Sequence, residues 1–158
     1  MKRPLVTMAL LVAGCTSSGE GTFTDAERAA VEDTILALWD QTLSGIEEVD
    51  AEKAYRLFSD RPDTWYIRDA YLYPSIAAAK REYAEGFKAL SGQRREIDTL
   101  AVNVLAPSAA VLLSLGRFVA TDTAGVTHPP LELAWSVAWR LEKDGWRIAN
   151  MHISFPPR

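Results

Sequence analysis

The chain has little of the side-chain chemistry that metal sites, disulfides and thiol catalysis require. It contains one cysteine, Cys15, and two histidines, His128 and His152, among 158 residues. A single thiol cannot form an internal disulfide, and neither His-x-x-x-His nor a paired-cysteine spacing suited to zinc is present. Glycine-rich phosphate loops and the Gly-x-Ser-x-Gly elbow are also absent. We therefore expect neither a bound metal nor a cofactor.

Positive charge is scarce as well. Lys and Arg number 17 against 21 Asp and Glu, which gives a formal net charge of −4, and no basic run exceeds two residues. Binding to a nucleic-acid backbone requires a basic stripe, so we expect no nucleic-acid partner. The length and the 48% content of hydrophobic residues suit one domain with a buried core.

The first fourteen residues differ in composition from the rest. Met1-Lys2-Arg3 is cationic, and the apolar stretch 4–14 is shorter than the roughly 20 residues of a membrane-spanning helix. This pattern predicts an export signal over residues 1–14. The segment Val12-Ala13-Gly14-Cys15 resembles the lipobox of bacterial lipoproteins, which implies cleavage before Cys15 and acylation of its thiol. We predict a cell-envelope lipoprotein, anchored to a membrane through Cys15 and facing the periplasm or the cell exterior; the alternatives are an ordinary secretory signal or a buried free thiol.

Residues 15–23 are predicted to hold the lipidated cysteine and a flexible tether. The tether is inferred from the high content of Ser, Gly and Thr. The folded domain is predicted over 24–158. It begins at Thr24-Asp25-Ala26-Glu27, which fits a capping box. Apolar residues at helical spacing predict three helices, from Thr24 to a stop at Gly45, from Asp50 to Phe58, and from Pro74 to Ser91-Gly92.

The period changes from helical to two in the second half of the chain. One short strand is predicted at 64–69, and four long strands at 94–106, 109–122, 129–142 and 146–155. Helices followed by long antiparallel strands predict an α+β domain, in which the helices cover one face of a bent sheet.

The last predicted hairpin carries the most specific pattern. Ser136-Val137-Ala138-Trp139, the turn Asp144-Gly145, Trp146 and His152-Ile153-Ser154 resemble the closing hairpin of the NTF2-like superfamily. The most similar variants are SnoaL-like and DUF4440-type domains and the association domain of calmodulin-dependent kinase. The resemblance implies a cone-shaped fold, in which three N-terminal helices pack on a strongly curved, mostly antiparallel sheet around a central pocket. It also implies a homodimer.

Alternation along this hairpin sorts its side chains into two faces, provided that the loop has an even number of residues. One face then holds Leu133, Trp135, Val137, Trp139, Ile148, Asn150, His152 and Ser154. We expect this face to line the pocket, since it combines large aromatics with a few polar groups. The predicted ligand-binding residues are Trp39, Trp135, Asn150, His152 and Ser154. The other face, with Ala134, Ser136, Ala138, Ala149, Met151 and Ile153, is predicted to form a subunit interface or to pack tightly.

Three functions are open at this point, because a fold does not determine an activity. The leading hypothesis is a protein that binds a small, partly apolar molecule and is not an enzyme. The alternative is a SnoaL-like isomerase, cyclase or dehydratase, in which His152 transfers protons with Tyr66, Asp69 or Asp98 as its partner. The third is an assembly module in an envelope complex.

Overall fold

The computed structural model describes residues 23–156; the predicted signal peptide, Cys15 and tether residues 16–22 lie outside them. The helices are α1 (Asp25–Glu47), α2 (Ala51–Tyr55) and α3 (Ile76–Phe87). The strands are β1 (Trp65–Arg68), β2 (Tyr71–Leu72), β3 (Leu90–Ala106), β4 (Ala109–Asp122), β5 (Leu131–Glu142) and β6 (Gly145–Ser154).

The strands form one six-stranded mixed sheet in the order β2-β1-β6-β5-β4-β3. Strand β1 runs parallel to β6, and each of the other neighbouring pairs is antiparallel. Because β2 and β3 stand at opposite ends of this order, the sheet is open and does not close into a barrel. The inner face of the sheet and the helices share one hydrophobic core, in which Trp39 of α1 packs with Trp135 and Val137 of β5. The predicted α+β class is confirmed.

Helix α1 begins where the capping box predicts. The Thr24 hydroxyl accepts a hydrogen bond from the Glu27 amide at 3.2 Å, and the Glu27 carboxylate accepts one from the Thr24 amide at 2.8 Å. The predicted stop at Gly45 is wrong, since the helix continues to Glu47. Gly45 serves packing instead: a Cβ there would lie 2.3 Å from the backbone nitrogen of Ala54. The missing side chain lets α1 and α2 approach each other closely.

The predicted ends of α3 are also wrong by a few residues. The Ser75 hydroxyl caps the helix by accepting a hydrogen bond from the Ala78 amide at 3.1 Å, so Pro74 precedes the helix. At the other end, Leu90 and Gly92 belong to β3, where they pair with Asp122 and Thr121 of β4. Pairing with a neighbouring strand overrides the helical spacing that the sequence shows locally.

An irregularity in the β5–β6 hairpin decides which side chains face the helices. The two strands are joined by a two-residue turn, and Trp139 pairs with Ile148. The next pair is Ala138 with Asn150, so Ala149 is an extra residue on β6. Such a β-bulge reverses the alternation of side chains beyond it.

The face assignment predicted from the sequence is therefore wrong for most of β6. Met151 and Ile153 face the helices and are buried, with 3% and 5% of their surfaces exposed. Asn150, His152 and Ser154 lie on the outer face, where they pair with Ala138, Ser136 and Ala134. The loop has the even length that the prediction required, but the bulge at Ala149 inverts the strand after it.

Candidate functional site

A cavity of about 550 Å³ lies between the helices and the inner face of the sheet. Its wall is mostly apolar and aromatic, and it takes side chains from all three helices and from β1, β3, β4, β5 and β6. The lining residues are Thr42, Ile46, Ala54, Tyr55, Phe58, Tyr66, Arg68, Glu82, Tyr83, Glu85, Gly86, Phe87, Leu90, Gln93, Phe118, Leu131, Leu133, Trp135, Met151, Ile153 and Phe155. Small-molecule sites typically have volumes of about 300–1,000 Å³ and walls of this kind.

Three tyrosines form an aromatic cluster at one part of this wall. The ring centroids of Tyr66 and Tyr83 are 5.9 Å apart with the planes nearly perpendicular, and Tyr55 lies 5.8 Å and 5.5 Å from them. Edge-to-face contacts of this kind stabilise aromatic packing. Tyr66 comes from β1, Tyr83 from α3 and Tyr55 from α2, so the cluster joins three elements that are separate in the sequence.

The hydroxyl groups of Tyr66 and Tyr83 are hydrogen-bonded to each other at 2.6 Å. Burial raises the pKa of both phenols above the ordinary value, so both stay protonated over the physiological range. Only one of the two protons can lie between the oxygens. The pair therefore keeps one O–H group outside its mutual hydrogen bond.

The charged side chains of the wall are paired. Arg68 Nη2 lies 2.5 Å from Glu82 Oε1, which connects β1 to α3. The same guanidinium stands over the rings of Tyr73 and Tyr83, at 5.6 Å and 5.9 Å from their centroids. Glu85 forms an ion pair with Lys88 at 2.7 Å. Neither acidic side chain of the lining is left without a cation.

The structure brings two of the sequence-predicted site residues to the cavity, Trp135 and Tyr66. Trp39 lies behind Trp135, in edge contact with ring centroids 5.7 Å apart, and belongs to the core. The bulge places Asn150, His152 and Ser154 on the opposite face of the sheet, so these side chains do not join the cavity wall.

His152 and Asp69 do meet, but on the outer surface. His152 Nε2 lies 3.1 Å from the main-chain oxygen of Asp69. The Asp69 carboxylate accepts a hydrogen bond from the Phe155 amide at 3.0 Å. Asp69 has a φ of 53° in the turn between β1 and β2, a conformation that aspartate tolerates better than most residues. These contacts hold the end of β6 against the turn, and they lie across the sheet from Tyr66. Asp98, the other predicted partner, lies among the residues of a separate, shallower depression that also includes Ser154.

Four residues of the cavity wall were not predicted from the sequence: Tyr55, Arg68, Glu82 and Tyr83. Part of the signal is visible in the sequence: Tyr66 and Arg68 are two apart on a strand and therefore share a face. Tyr83 and Phe87 are four apart on a helix and share a face as well. No local pattern indicates that these faces meet around one cavity.

Within residues 23–156, no helix combines the length and apolar character needed to cross a membrane. The same part of the chain contains no group of three or more His, Cys, Asp and Glu side chains placed to hold a metal ion.

Neither a protein-family model nor a curated protein matches the sequence. Solved structures do match. An NTF2-like superfamily protein from Salmonella enterica serovar Typhimurium is 24% identical, with a TM-score of 0.72 over 83% of this chain and 94% of that one. A provisionally named scytalone dehydratase from Novosphingobium aromaticivorans is 12% identical, with a TM-score of 0.72 over 85% and 89%. A provisionally named calcium/calmodulin dependent protein kinase II association domain from Xanthomonas campestris is 18% identical, with a TM-score of 0.67 over 79% and 87%.

These likenesses show that the chain has the NTF2-like fold, as the resemblance of its closing hairpin implied. The names of the matched structures range from a dehydratase to an association domain. Catalytic and noncatalytic roles are therefore both compatible with the fold, and the residues of the cavity have to distinguish them.

Proposed function

We propose that the chain is a membrane-anchored, extracytoplasmic lipoprotein whose NTF2-like domain binds a small, largely apolar molecule. The observation that carries this proposal is the cavity of about 550 Å³, with its aromatic wall and few polar groups. Such a wall gains free energy by removing apolar ligand surface from water, while the few polar groups orient the ligand.

The polar groups of the cavity support binding better than catalysis. A general base needs a pKa near the working pH and must lie within hydrogen-bond reach of the proton that it takes. Burial keeps Tyr66 and Tyr83 protonated, so they serve as donors. Glu82 is held by Arg68. His152, the predicted proton carrier, lies on the other face of the sheet.

A blocked cavity should lose its ligand. Leu131 lines the cavity and is 46% exposed, so Leu131→Trp should fill part of the opening with little strain. We expect this change to weaken binding of the apolar dye Nile red about tenfold, a loss of roughly 1.4 kcal/mol. The affinity for Nile red is measured by fluorescence titration, with each variant made in the Cys15→Ser chain, which lacks the predicted lipid anchor.

The matched control for this experiment is Leu141→Trp. Leu141 lies on the same strand, is 44% exposed, and is not among the lining residues. It should leave the affinity for the dye unchanged. Equal affinities of the two variants, or no dye binding by the parent chain, would contradict the proposed function.

The second function is a proton-transfer enzyme, an isomerase, cyclase or dehydratase. The observation in its favour is the Tyr66–Tyr83 hydroxyl pair, which could donate to a developing oxyanion in the cavity. Tyr66 is a better candidate for this role than His152 or Asp69, because only Tyr66 lines the cavity among the three. Turnover of a ring ketone that Tyr66→Phe abolishes and His152→Ala preserves would support this function over simple binding.

The membrane anchor is proposed from Val12-Ala13-Gly14-Cys15, which precedes the described residues. Several acyl chains on one cysteine hold a protein firmly at a membrane, whereas a single chain holds it only marginally. Cys15→Ser should abolish incorporation of an alkyne-labelled fatty acid and move the protein to the soluble fraction. The domain should remain folded, and Ser18→Ala should behave as the parent chain. Membrane retention of Cys15→Ser without acyl label would contradict the anchor.

We also propose a homodimer formed through the outer face of the sheet. The apolar part of this face comes from β1, β4 and β5, and its members are Trp65, Ile67, Val111, Leu113, Leu115, Ala134, Ser136 and Ala138. Strand β6, between β1 and β5, adds the polar side chains of Asn150, His152 and Ser154. Small residues on β5 allow two sheets to approach closely. A second copy is a suitable partner because the centre of this face carries no Asp, Glu, Lys or Arg, while Arg117 and Glu132 pair with each other at its border.

The dimer should dissociate when a charge enters this face. Leu113 is 43% exposed near the middle of the surface, so Leu113→Arg should produce a monomer without unfolding the domain. Light scattering after size-exclusion chromatography measures the mass, and Leu141→Arg, on the other face, is the control. A monomeric parent chain, or a dimer that tolerates Leu113→Arg, would contradict this proposal.

A further inference from the structure

His152 lies at the centre of the outer face of the sheet. It belongs to β6, which together with β5 occupies the middle of the strand order β2-β1-β6-β5-β4-β3. Its neighbours across the strands are Ile67 of β1 and Ser136 of β5, and Ser136 pairs in turn with Leu113 of β4. The two-fold axis of a symmetric dimer passes through the middle of the shared face. The proposed dimer would therefore enclose His152 of both copies near this axis.

The neutral form of the His152 ring suits this position. Nε2 lies 3.1 Å from the main-chain oxygen of Asp69, and a carbonyl oxygen can only accept, so Nε2 carries a proton. In the neutral ring Nδ1 then has no proton and accepts hydrogen bonds. Protonation turns Nδ1 into a second donor and gives the ring a positive charge. The side chain is exposed in the single chain, so water solvates both forms of the ring there.

The charged side chains of the strands around His152 lie at the borders of the outer face, four or five residues from its central row. They are Arg117 of β4, Glu132 and Arg140 of β5, and Arg147 of β6.

Two further charged groups belong to β1 and to the turn after it. Arg68 faces the cavity and is paired with Glu82. The Asp69 carboxylate accepts a hydrogen bond from the Phe155 amide at 3.0 Å. The central row itself holds no carboxylate, so a second copy would bring a second imidazolium to this place without a carboxylate to balance it.

We propose that His152 makes the homodimer sensitive to pH: the dimer forms when His152 is neutral and dissociates when His152 is protonated. The inference rests on the proposed dimer and specifies how its formation is regulated. Burying a charge without a partner and bringing two like charges together both disfavour association. Histidine is the side chain whose charge ordinarily changes between pH 5 and 8, so mild acid is the signal that separates the two copies.

The dissociation constant of the dimer at two pH values tests this switch. Analytical ultracentrifugation of the full chain carrying Cys15→Ser should give a dissociation constant at least about tenfold higher at pH 5.5 than at pH 7.5. His152→Gln keeps a neutral polar side chain at both pH values and should reduce this ratio to less than about twofold. His152→Arg is charged at both pH values and should weaken the dimer at pH 7.5 by at least about tenfold. Circular dichroism at each pH shows that the domain remains folded.

His128→Gln is the matched control, because His128 is the other histidine of the chain and lies in the loop between β4 and β5, where its Nε2 is 3.2 Å from Asp122 Oδ2. This variant should keep the pH dependence of the parent chain. Equal dissociation constants of the parent at both pH values, or a pH dependence that persists in His152→Gln, would overturn the switch while the dimer stands. A parent chain that is monomeric at pH 7.5 would overturn the dimer and the switch together. If His152→Gln does not dimerise at pH 7.5, His152→Asn takes its place.

Discussion

Gly45→Ala should destabilise the domain by about 2–3 kcal/mol, the cost of forcing extra volume into a packed site. An added Cβ would lie 2.3 Å from the nitrogen of Ala54, 2.7 Å from its Cα and 2.8 Å from the carbonyl carbon of Lys53. All three atoms belong to the backbone of α2, so no flexible side chain can move aside. The two helices would have to separate, which disturbs the part of the core that Ala54 and Tyr55 occupy.

Gly86→Ala provides the matched control. Gly86 also lies within a helix, but an added Cβ there meets no atom within 4 Å. Alanine has the higher helix propensity, so this variant should gain about 0.5–1 kcal/mol. Urea unfolding followed by circular dichroism measures both changes. If Gly45→Ala were as stable as the parent chain, the close approach of α1 and α2 would be refuted.

Met151→Asn should cost about 3–4 kcal/mol. Met151 is 3% exposed on the inner face, opposite Val137 of β5. The change removes an apolar side chain whose burial contributes about 1.5–3 kcal/mol. It also buries an amide, and leaving such a group without hydrogen bonds costs about 1–3 kcal/mol. Part of the second cost is relieved because the cavity lies beside this residue.

His152→Asn places the same residue one position further along β6 and should cost no more than about 1 kcal/mol. His152 is exposed and loses one hydrogen bond, to the Asp69 carbonyl. The free energies of unfolding of the two variants in urea therefore show which side chains of β6 face the core. Without the bulge at Ala149, the order of the two effects would be reversed, and that outcome would refute the face assignment.

Interactions between residues close in the chain were predictable. The capping box at Thr24 and Glu27 formed as the sequence indicated, because both partners lie within one helical turn. Asp50, where the second helix was predicted to start, caps α2 for the same reason: its carboxylate accepts a hydrogen bond from the Lys53 amide at 3.0 Å. The long strands follow from alternation over ten or more residues, and their order after the helices determined the α+β class. The closing hairpin further indicated the NTF2-like fold.

The composition of the cavity wall was not predictable in this way. Tyr55, Tyr66 and Tyr83 come from three elements, and only the packing of α2 and α3 against β1 brings them together. Trp39 and Trp135 looked equivalent in the sequence. In the structure Trp135 reaches the cavity, whereas Trp39 packs behind it.

By itself, then, the sequence determined the N-terminal caps of α1 and α2, the succession of helices and long strands along the chain, and the fold class, since each depends on local spacing. The tertiary structure decided the role of Gly45, the face of His152 and the membership of the cavity. The physical reason is that one inserted residue, Ala149, reverses every side chain after it on β6. Burying Met151 and Ile153 in the core stabilises that bulge. The free energy of this burial depends on the packing of the whole domain, so the alternation of residues along β6 does not reveal it.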